Sequence, residues 1–341
     1  MSAAPLLEVR AVSRRFVKRL DAIERIAARL GSPVREQVVH AVDRVSFDVA
    51  DGEVVGLVGE SGCGKSTLGR VICGLHPATE GEVRLAGEPV ALVPGRRPSV
   101  QMVFQDPFAS LNPRLRVGDA IAEAPIAHGL VTRADAPGYV ADWLQRVGLD
   151  ASYARRYPHQ FSGGQRARIG IARALAVQPR FLVCDEAVAA LDVSIQAQVL
   201  NLLATLRREL GLTLLFISHD LGVVRHVADR VVVMYLGRVV ELGPIATLYD
   251  APNHPYTRAL IGEVPRLDRR HRAYQPIRGE IPSPLDPPSG CHFHPRCPHA
   301  GARCRTEVPV LREVAPGTKS ACHLNDAGGT EGAPSVAPAR A

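Results

Sequence analysis

The feature that most constrains the fold of this 341-residue chain is the octapeptide Gly59-Glu-Ser-Gly-Cys-Gly-Lys-Ser66. It matches the pattern G-x-x-x-x-G-K-[ST], in which backbone N–H groups surround nucleotide phosphates. An apolar, β-prone run, Val54–Val58, precedes the loop, and Thr67–Leu75 can continue it as a helix. Because this loop requires a strand before it and a helix after it, the sequence predicts a nucleotide-binding α/β fold.

Two side chains of this loop have predicted roles. Lys65 would reach the β- and γ-phosphates, and the Ser66 hydroxyl would bind Mg²⁺. Lys65 is one of only three lysines in a chain with 41 lysines and arginines, so general composition does not explain a lysine here. The residues predicted to surround the phosphates are Gly59, Glu60, Ser61, Gly62, Cys63, Gly64, Lys65, Ser66 and Thr67.

A second glycine-rich motif, Phe161-Ser-Gly-Gly-Gln165, opens a helical pattern that runs from Arg166 to Ala176. Such a helix start can bind an anion, because its free N–H groups and the helix dipole carry positive potential. The alternative is an ordinary N-cap at Ser162 followed by a flexible glycine entry.

Two further apolar runs end in groups that suit catalysis. Phe181–Asp185 reads as a buried strand that delivers Asp185 to the Mg²⁺ shell, and Glu186 can then polarise the attacking water. A strand from Leu212 ends at His219, where a contact with the γ-phosphate is predicted. The alternatives are solvated acids at a strand end and a surface histidine.

In this order, the motifs resemble those of the ATP-binding cassette (ABC) ATPases over about residues 6–250. Ala190-Leu-Asp192 matches the family's dimer-contact loop, and Gln105, which closes the predicted strand Val100–Gln105, matches its Q-loop. The resemblance implies a P-loop NTPase cassette of the α/β class, with a RecA-like core, an antiparallel β subdomain and a helical signature subdomain.

The resemblance also implies a mechanism in which two cassettes pair head to tail. Each ATP would lie between one phosphate loop and the partner's signature motif. Phe16 is the candidate for stacking on adenine, although a core position in the first strand is an alternative. The implied catalytic residues are Glu186, His219 and Gln105, the implied Mg²⁺ ligands are Ser66, Gln105 and Asp185, and the implied nucleotide contacts include Ser162, Gly163, Gly164, Gln165 and Asp192.

Along the chain, we expect an ATP-binding domain over 1–250, with a helical subdomain at about 106–165. Helical stretches are predicted in this subdomain around Val117–Ala124 and Val140–Val147. Residues 6–16 and 39–58 read as antiparallel strands, and an amphipathic insert over about 18–38 separates them, with apolar residues at helical spacing from Leu20 to Leu30. No run approaches 18 apolar residues, so no transmembrane helix is predicted, and no secretory signal is apparent. The net charge of +7 is compatible with a protein that works beside anionic lipid, and it is equally compatible with an arginine-rich surface exposed to solvent.

The composition changes from Pro252, and an extension is expected over 251–324, with a disordered tail over 325–341. His254-Pro-Tyr-Thr257, Pro287-Pro-Ser-Gly-Cys291 and four clustered cysteines look like the C-terminal extension of oligopeptide/dipeptide importer ATPases, in the F-type member of a two-ATPase pair. Ala187 and Ala189 depart from that family's usual proline and serine. The second change removes a hydroxyl near the dimer contact and is expected to weaken communication between the two sites. An Asp-Glu-Ala start also recurs in related nickel importers, which remain an alternative.

This resemblance implies a peripheral protein on the cytoplasmic face of the inner membrane that energises peptide uptake. Its expected partners are a second ATPase subunit as a heterodimer, two membrane permease subunits and, indirectly, an extracytoplasmic solute-binding protein. No nucleic-acid partner is expected. A soluble cassette protein of DNA repair or translation is an alternative, but such proteins usually carry two cassettes or inserted zinc modules. A regulatory subunit without hydrolysis is disfavoured by Glu186 and His219.

The four C-terminal cysteines follow the spacing C-x5-C-x6-C-x17-C at Cys291, Cys297, Cys304 and Cys322. Structural zinc usually shows tight C-x2-4-C pairs, which are lacking here. Four thiolates on loops with wider spacing favour a [4Fe–4S] cluster, which the resemblance to the peptide-importer extension also implies. Zn²⁺ and no metal remain alternatives, and His292, His294 and His299 are spare ligands for zinc.

Overall fold

Two β-sheets form the framework of the protein. The computed structural model describes residues 4–18, 36–90, 97–106, 110–263, 277 and 279–326. The strands in these ranges are β1 (Leu7–Lys18), β2 (Gln37–Val49), β3 (Val54–Val58), β4 (Glu80–Leu85), β5 (Glu88–Pro89), β6 (Val100–Val103), β7 (Phe181–Asp185), β8 (Thr213–Ile217), β9 (Arg230–Tyr235), β10 (Arg238–Pro244), β11 (Arg312–Ala315) and β12 (Thr318–Ser320). Within the described residues, one sheet has the order β2-β1-β4-β5 and the other β11-β12-β10-β9-β3-β8-β7-β6.

The helices flank the larger sheet and form a separate cluster before β7. They are α1 (Lys65–Ile72), α2 (Val117–Ala127), α3 (Ala136–Arg146), α4 (Gly163–Leu175), α5 (Val193–Leu210), α6 (Leu221–Val227), α7 (Ile245–Asp250), α8 (Pro255–Gly262) and α9 (Ala302–Thr306). Short 3₁₀ helices span Ala151–Arg155, Pro158–Gln160, His294–Arg296 and His323–Asn325. Within the described ranges, none of the helices combines the length and the apolar composition that crossing a bilayer requires.

The larger sheet separates two hydrophobic cores. β3 pairs in parallel with β8 and β9, and β7 pairs in parallel with β6 on one side and β8 on the other. Successive residues of a strand point to opposite faces. Val55 and Leu57 therefore lie in the core that contains α1 and the antiparallel sheet, whereas Val54 and Val58 lie in the core that contains α4, α5 and α6. The carboxyl ends of β3, β6, β7 and β8 meet at one edge, where parallel α/β sheets bind ligands.

The sequence placed 39–58 in one antiparallel region, and the structure divides it. β2 pairs antiparallel with β1, but Val54–Val58 joins the larger sheet in parallel. The five residues of β3 are apolar and fully buried, which is typical of a parallel strand covered on both faces. The strand expected to close at Gln105 ends at Val103, so Gln105 lies two residues beyond β6.

Helices predicted around Val117–Ala124 and Val140–Val147 are present as α2 and α3 with shifted ends. α2 continues through Pro125 to Ala127, and α3 begins at Ala136. These helices pack with α4 around buried apolar side chains, among them Ile121, Trp143, Leu144 and Ile169.

Parts of the predicted insert and tail lie outside the described residues. The helix predicted from Leu20 to Leu30 falls in 19–35, and most of the expected tail falls in 327–341. Within the description, β1 extends to Lys18 and β2 begins at Gln37, so the ends of the expected 18–38 insert are strand. Asn325, the first residue of the expected tail, belongs to a 3₁₀ helix. The domain bounds themselves remain predictions.

Candidate functional site

The phosphate loop connects β3 to α1, as its motif predicts. Gly64 has φ 105°, and a Cβ placed there would lie 2.0 Å from the Ala41 carbonyl oxygen, so only glycine fits. The Lys65 side chain is 4% exposed, and its Nζ donates to the carbonyl oxygens of Gly59 at 2.7 Å and Glu60 at 3.0 Å. Lys65 therefore lies across the phosphate loop, close to where it is predicted to contact the β- and γ-phosphates.

Ser66 and Asp185 are in direct contact at the end of β7. The Ser66 hydroxyl donates to Asp185 Oδ1 at 2.8 Å, and Asp185 is 2% exposed. Burial raises the pKa of Asp185, and the charge of Glu186 adds to that rise, although the Ser66 hydrogen bond opposes it. A hydroxyl beside a desolvated carboxylate fits a Mg²⁺ site, because oxygen ligands suit this ion and its charge would favour the ionised carboxylate.

Glu186 is held between the two other predicted catalytic residues. Gln105 Nε2 donates to Glu186 Oε2 at 2.8 Å, and His219 Nδ1 lies 3.2 Å from Glu186 Oε1. Glu186 itself adopts φ 46°, which is uncommon for a residue with a side chain, and its N–H donates to the Ile217 carbonyl at 3.0 Å. In this structure Gln105 contacts Glu186 rather than Ser66 or Asp185, the other two residues predicted to bind Mg²⁺.

Ser162 caps α4, which is the structural role that the sequence offered as the alternative to anion binding. Its hydroxyl accepts from the Gln165 N–H at 3.3 Å, and Gln165 Oε1 accepts from the Ser162 N–H at 3.0 Å. This reciprocal capping box leaves other N–H groups of the first turn available to a ligand. Gly163 lies against Leu191, and Gly164 lies against Ile195, where a Cβ would be 2.4 Å from the isoleucine side chain. Nucleotide contact by this motif remains a prediction.

Two predicted nucleotide contacts lie at the surface. Asp192 is exposed at the start of α5, and Val193 beside it is 83% exposed. Phe16 is half-buried on β1, with the ring of His76 edge-on to it and the Arg14 guanidinium 4.5 Å from its centroid. Phe16 is thus absent from the buried cores of the described residues, and its stacking on adenine stays a prediction.

Known families match both parts of the chain. The family model for ABC transporters matches residues 42–189, and that for the oligopeptide/dipeptide transporter C-terminal region matches residues 240–304. The oligopeptide transport ATP-binding protein AppF of Bacillus subtilis is 49% identical over 328 residues, which cover 94% of this chain and 97% of that protein. The chain belongs to the ABC transporter family.

Solved ABC structures agree with this membership. A subunit of the ABC transporter complex cbiONQ from Clostridium perfringens is 25% identical and matches with a TM-score of 0.57 over 72% of this chain and 91% of its own. An ATP-binding cassette solved as a dimer in a post-hydrolysis state, with bound ADP and Pi, is 26% identical. It matches with a TM-score of 0.59 over 70% of this chain and 98% of its own. This protein is an ABC ATPase with the cassette fold.

Two side chains that contact the phosphate loop of this ABC ATPase were not predicted from the sequence. Tyr256 accepts a hydrogen bond from the Glu60 N–H at 2.9 Å, and Arg296 forms an ion pair with the Glu60 carboxylate. Neither position carries a local signal for such a role, because each is far from the loop in sequence. The nearest hints are the His254-Pro-Tyr-Thr257 motif and the neighbouring Cys297.

The structure brings the four C-terminal cysteines to one small cavity. Its lining includes Cys291, Cys297, Cys304 and Cys322, together with His294 and Phe293. Burial raises the pKa of Cys297 and of Cys322 to about 11, and the neighbouring cysteines add to the rise. Among the described residues, no group of three or more His, Cys, Asp or Glu side chains is placed to hold a single metal ion. The cysteines converge without forming a closed site for one ion.

The two departures from the family pattern lie in different environments. Ala187 is buried directly after Glu186, whereas Ala189 is exposed near the start of α5. The expected loss of a hydroxyl near the dimer contact therefore concerns a surface position. Its effect on communication between two sites remains a prediction.

Proposed function

We propose that this chain is the ATP-hydrolysing subunit of an importer and energises uptake of di- and oligopeptides through separate permease subunits. The observation that carries the proposal is the Glu186 carboxylate, which Gln105 and His219 hold beside the Ser66–Asp185 pair. The relative of this chain in Bacillus subtilis is named an oligopeptide transport ATP-binding protein. The match to the oligopeptide/dipeptide transporter C-terminal region supports the same solute class.

In the proposed reaction, ATP and water give ADP and phosphate. Glu186 orients the attacking water and accepts its proton, and His219 contacts the γ-phosphate and supports Glu186. Lys65 exchanges its bonds to the Gly59 and Glu60 carbonyls for bonds to the phosphates. Mg²⁺, bound by Ser66, Asp185 and Gln105, would neutralise charge on the phosphate oxygens.

The proposed active unit is a dimer in which each ATP lies between one phosphate loop and the partner's Ser162-Gly163-Gly164. The exposed Asp192 and Val193 beside this motif support it, because a contact loop must be accessible before the subunits pair. A second ATPase subunit is the proposed partner. The pair would bind two permeases at the cytoplasmic face of the inner membrane, and a binding protein would deliver solute from outside.

The sharpest test of hydrolysis compares Glu186→Gln with Lys65→Ala. Glu186→Gln keeps the size of the side chain but removes the base, so turnover should fall by about 10²- to 10⁴-fold while ATP still binds and traps a dimer. Lys65→Ala should instead weaken ATP binding. Hydrolysis rates, ATP dissociation constants and the mass of the ATP-bound species would be measured. A Glu186→Gln protein that hydrolysed ATP at the parent rate would exclude Glu186 as the base.

The solute class needs its own experiment. The subunit, its second ATPase, its permeases and its binding protein would be reconstituted in vesicles, and ATP-dependent uptake of labelled dipeptides, longer peptides and Ni²⁺ would be compared. Peptide uptake that disappears with Glu186→Gln supports the proposal. Uptake of Ni²⁺ alone would assign the complex to the nickel importers instead.

We also propose that Cys291, Cys297, Cys304 and Cys322 hold a [4Fe–4S] cluster. Their convergence on one cavity supports four-cysteine ligation.

Metal analysis separates the alternatives for the cysteine site. After anaerobic purification, we expect a brown protein with about four irons and equivalent sulfide per chain, both lost in Cys297→Ser and retained in Cys73→Ser. Cys73 is a matched control because it is buried beside β6, away from the cavity. One zinc per chain would replace the cluster with a mononuclear site, and a metal-free protein would exclude both.

A further inference from the structure

Two side chains from beyond residue 250 contact the phosphate loop at the same residue, Glu60. The phenolic oxygen of Tyr256 accepts a hydrogen bond from the Glu60 N–H at 2.9 Å. The Arg296 guanidinium donates to both oxygens of the Glu60 carboxylate, at 2.7 and 3.0 Å. A bidentate arginine–carboxylate pair fixes orientation as well as distance. The second residue of the loop is therefore held from outside the cassette's own motifs.

Neither of these contacts involves the loop's lysine. The Glu60 carbonyl accepts from Lys65, but Lys65 is the residue that must turn towards the phosphates when ATP binds. The Glu60 N–H and carboxylate are bonded instead to Tyr256 and Arg296, which belong to another segment, so these bonds can persist when Lys65 moves.

The ion pair is largely withdrawn from solvent. The side chain of Arg296 is 5% exposed and that of Glu60 is 22% exposed. Burial opposes the charge of Arg296, yet its hydrogen bonds to Glu60 and Tyr235 leave its pKa raised. Removing one partner of a buried pair leaves an uncompensated charge, which is far more disruptive than loss of a surface pair.

The other ends of these contacts lie in a buried aromatic cluster. The ring centroids of Tyr235 and Tyr256 are 4.7 Å apart, and Phe293 lies 5.2 Å from Tyr235 and 5.4 Å from Tyr256. Tyr235 ends β9 of the larger sheet, and Phe293 directly precedes the 3₁₀ turn that carries Arg296. Docking of the turn at His294–Arg296 against this cluster sets the position of the guanidinium.

We propose that Tyr256 and Arg296 are positioning residues of the nucleotide site, which hold the phosphate loop at Glu60 and make ATP affinity depend on docking of the C-terminal segment. The inference rests on the ATPase function proposed above and assigns that function a second structural requirement.

Three variants test the proposal by ATP affinity in the full chain. Tyr256→Phe keeps the buried ring and removes only the acceptor, so the dissociation constant for ATP should rise about threefold. Arg296→Met should raise the dissociation constant and KM about tenfold or more, with a smaller change in kcat, because Glu186, Gln105 and His219 stay in place. Arg296→Lys keeps the positive charge but lacks the planar guanidinium that donates to both carboxylate oxygens, so its dissociation constant for ATP should lie between those of the parent and Arg296→Met.

A double-mutant cycle with Glu60→Gln identifies the partner. Because Glu60→Gln and Arg296→Met remove the same ion pair, the double variant should bind ATP about as weakly as Arg296→Met alone. Arg303→Met is the matched control, since Arg303 pairs with Glu307 and Asp326 in the same segment and not with the loop. It should leave ATP affinity within about twofold of the parent.

Measuring melting temperature and ATP affinity separately distinguishes a positioning role from a purely structural one. If Arg296→Met lowered the melting temperature but left the ATP dissociation constant and KM within about twofold of the parent, the proposal would be wrong. If Arg296→Met failed to fold, Tyr256→Phe and Glu60→Gln would decide, and unchanged affinity in both would overturn it. A parent protein that binds ATP without hydrolysing it would contradict the proposed function but leave the binding comparison valid.

Discussion

The Asp185 carboxylate lies in surroundings that disfavour its own charge. It is buried at the end of β7, Glu186 follows it directly, and the Ser66 hydroxyl donates to it. Burial therefore raises its pKa in the absence of a cation. A divalent ion at this position would offset both the desolvation and the repulsion from Glu186. Ser66 and Asp185 together should thus control how much Mg²⁺ the enzyme needs.

We predict that Ser66→Ala raises the Mg²⁺ concentration needed for half-maximal ATP hydrolysis by about tenfold, because one oxygen ligand and one hydrogen bond to Asp185 are lost. Mg²⁺ titrations of the hydrolysis rate at saturating ATP would measure this. Ser66→Thr keeps the hydroxyl and should titrate like the parent. An unchanged Mg²⁺ requirement in Ser66→Ala would show that Ser66 is not a ligand.

At the scale of elements, the start of α4 has a capping role in the structure and a predicted role in nucleotide binding, and the sequence could not separate the two. Ser162 and Gln165 form a capping box, which stabilises the helix by itself. The same first turn carries Gly163 and Gly164, whose lack of side chains permits close contacts with Leu191 and Ile195. Stability and nucleotide binding can be separated here because Asp caps a helix as well as Ser but carries a charge.

We predict that Ser162→Ala and Ser162→Asp differ in their effect on stability but have similar effects on activity. Ser162→Ala should cost about 1 kcal/mol in the free energy of unfolding, and Ser162→Asp should cost almost nothing. Both should lose most ATP hydrolysis, Ser162→Asp because its carboxylate would face the γ-phosphate held by the partner subunit. Urea unfolding without nucleotide and hydrolysis assays would test this pair. An active Ser162→Asp enzyme would argue against phosphate contact by this motif.

At the scale of the whole molecule, local patterns predicted the elements better than their long-range contacts. The bounds of β3 and β7 follow directly from apolar runs that end in a glycine loop or in acids. The pairing of Arg296 with Glu60 joins residues 236 positions apart, and no local periodicity encodes such a contact. The left-handed φ of Glu186 was equally hidden, because glutamate as a residue type does not favour this conformation.

Glu241 gives a pH test of how the C-terminal segment is attached. Its buried carboxylate on β10 accepts from the N–H groups of Asn253 and His254, just before α8. Burial raises its pKa above the ordinary 4.5, although these hydrogen bonds oppose the rise. The folded state therefore binds this proton more tightly than the unfolded state, so the contribution of Glu241 to stability decreases as pH rises from 4.5 through the folded pKa.

We predict that Glu241→Gln, which cannot ionise, reduces this pH dependence. Relative to the variant, the parent should lose up to about 1.4 kcal/mol of unfolding free energy per pH unit over that window. Urea unfolding of both proteins at a series of pH values would supply the difference. Parallel pH profiles would mean that Glu241 does not titrate differently in the folded and unfolded states.

The hairpin of β11 and β12 gives the larger sheet its outer border. β12 pairs with β10 at Glu241↔Ser320 and Leu242↔Lys319, so β10 is not the last strand of the sheet. A strand edge without a neighbour is a template on which other chains can add. During synthesis, β10 is complete at Pro244, but its neighbour is made only by Ser320. Because synthesis adds about 5–20 residues per second, the β10 edge of the nascent sheet stays unpaired for several seconds. During that period another chain can pair with it, so this is when protection by a chaperone matters most.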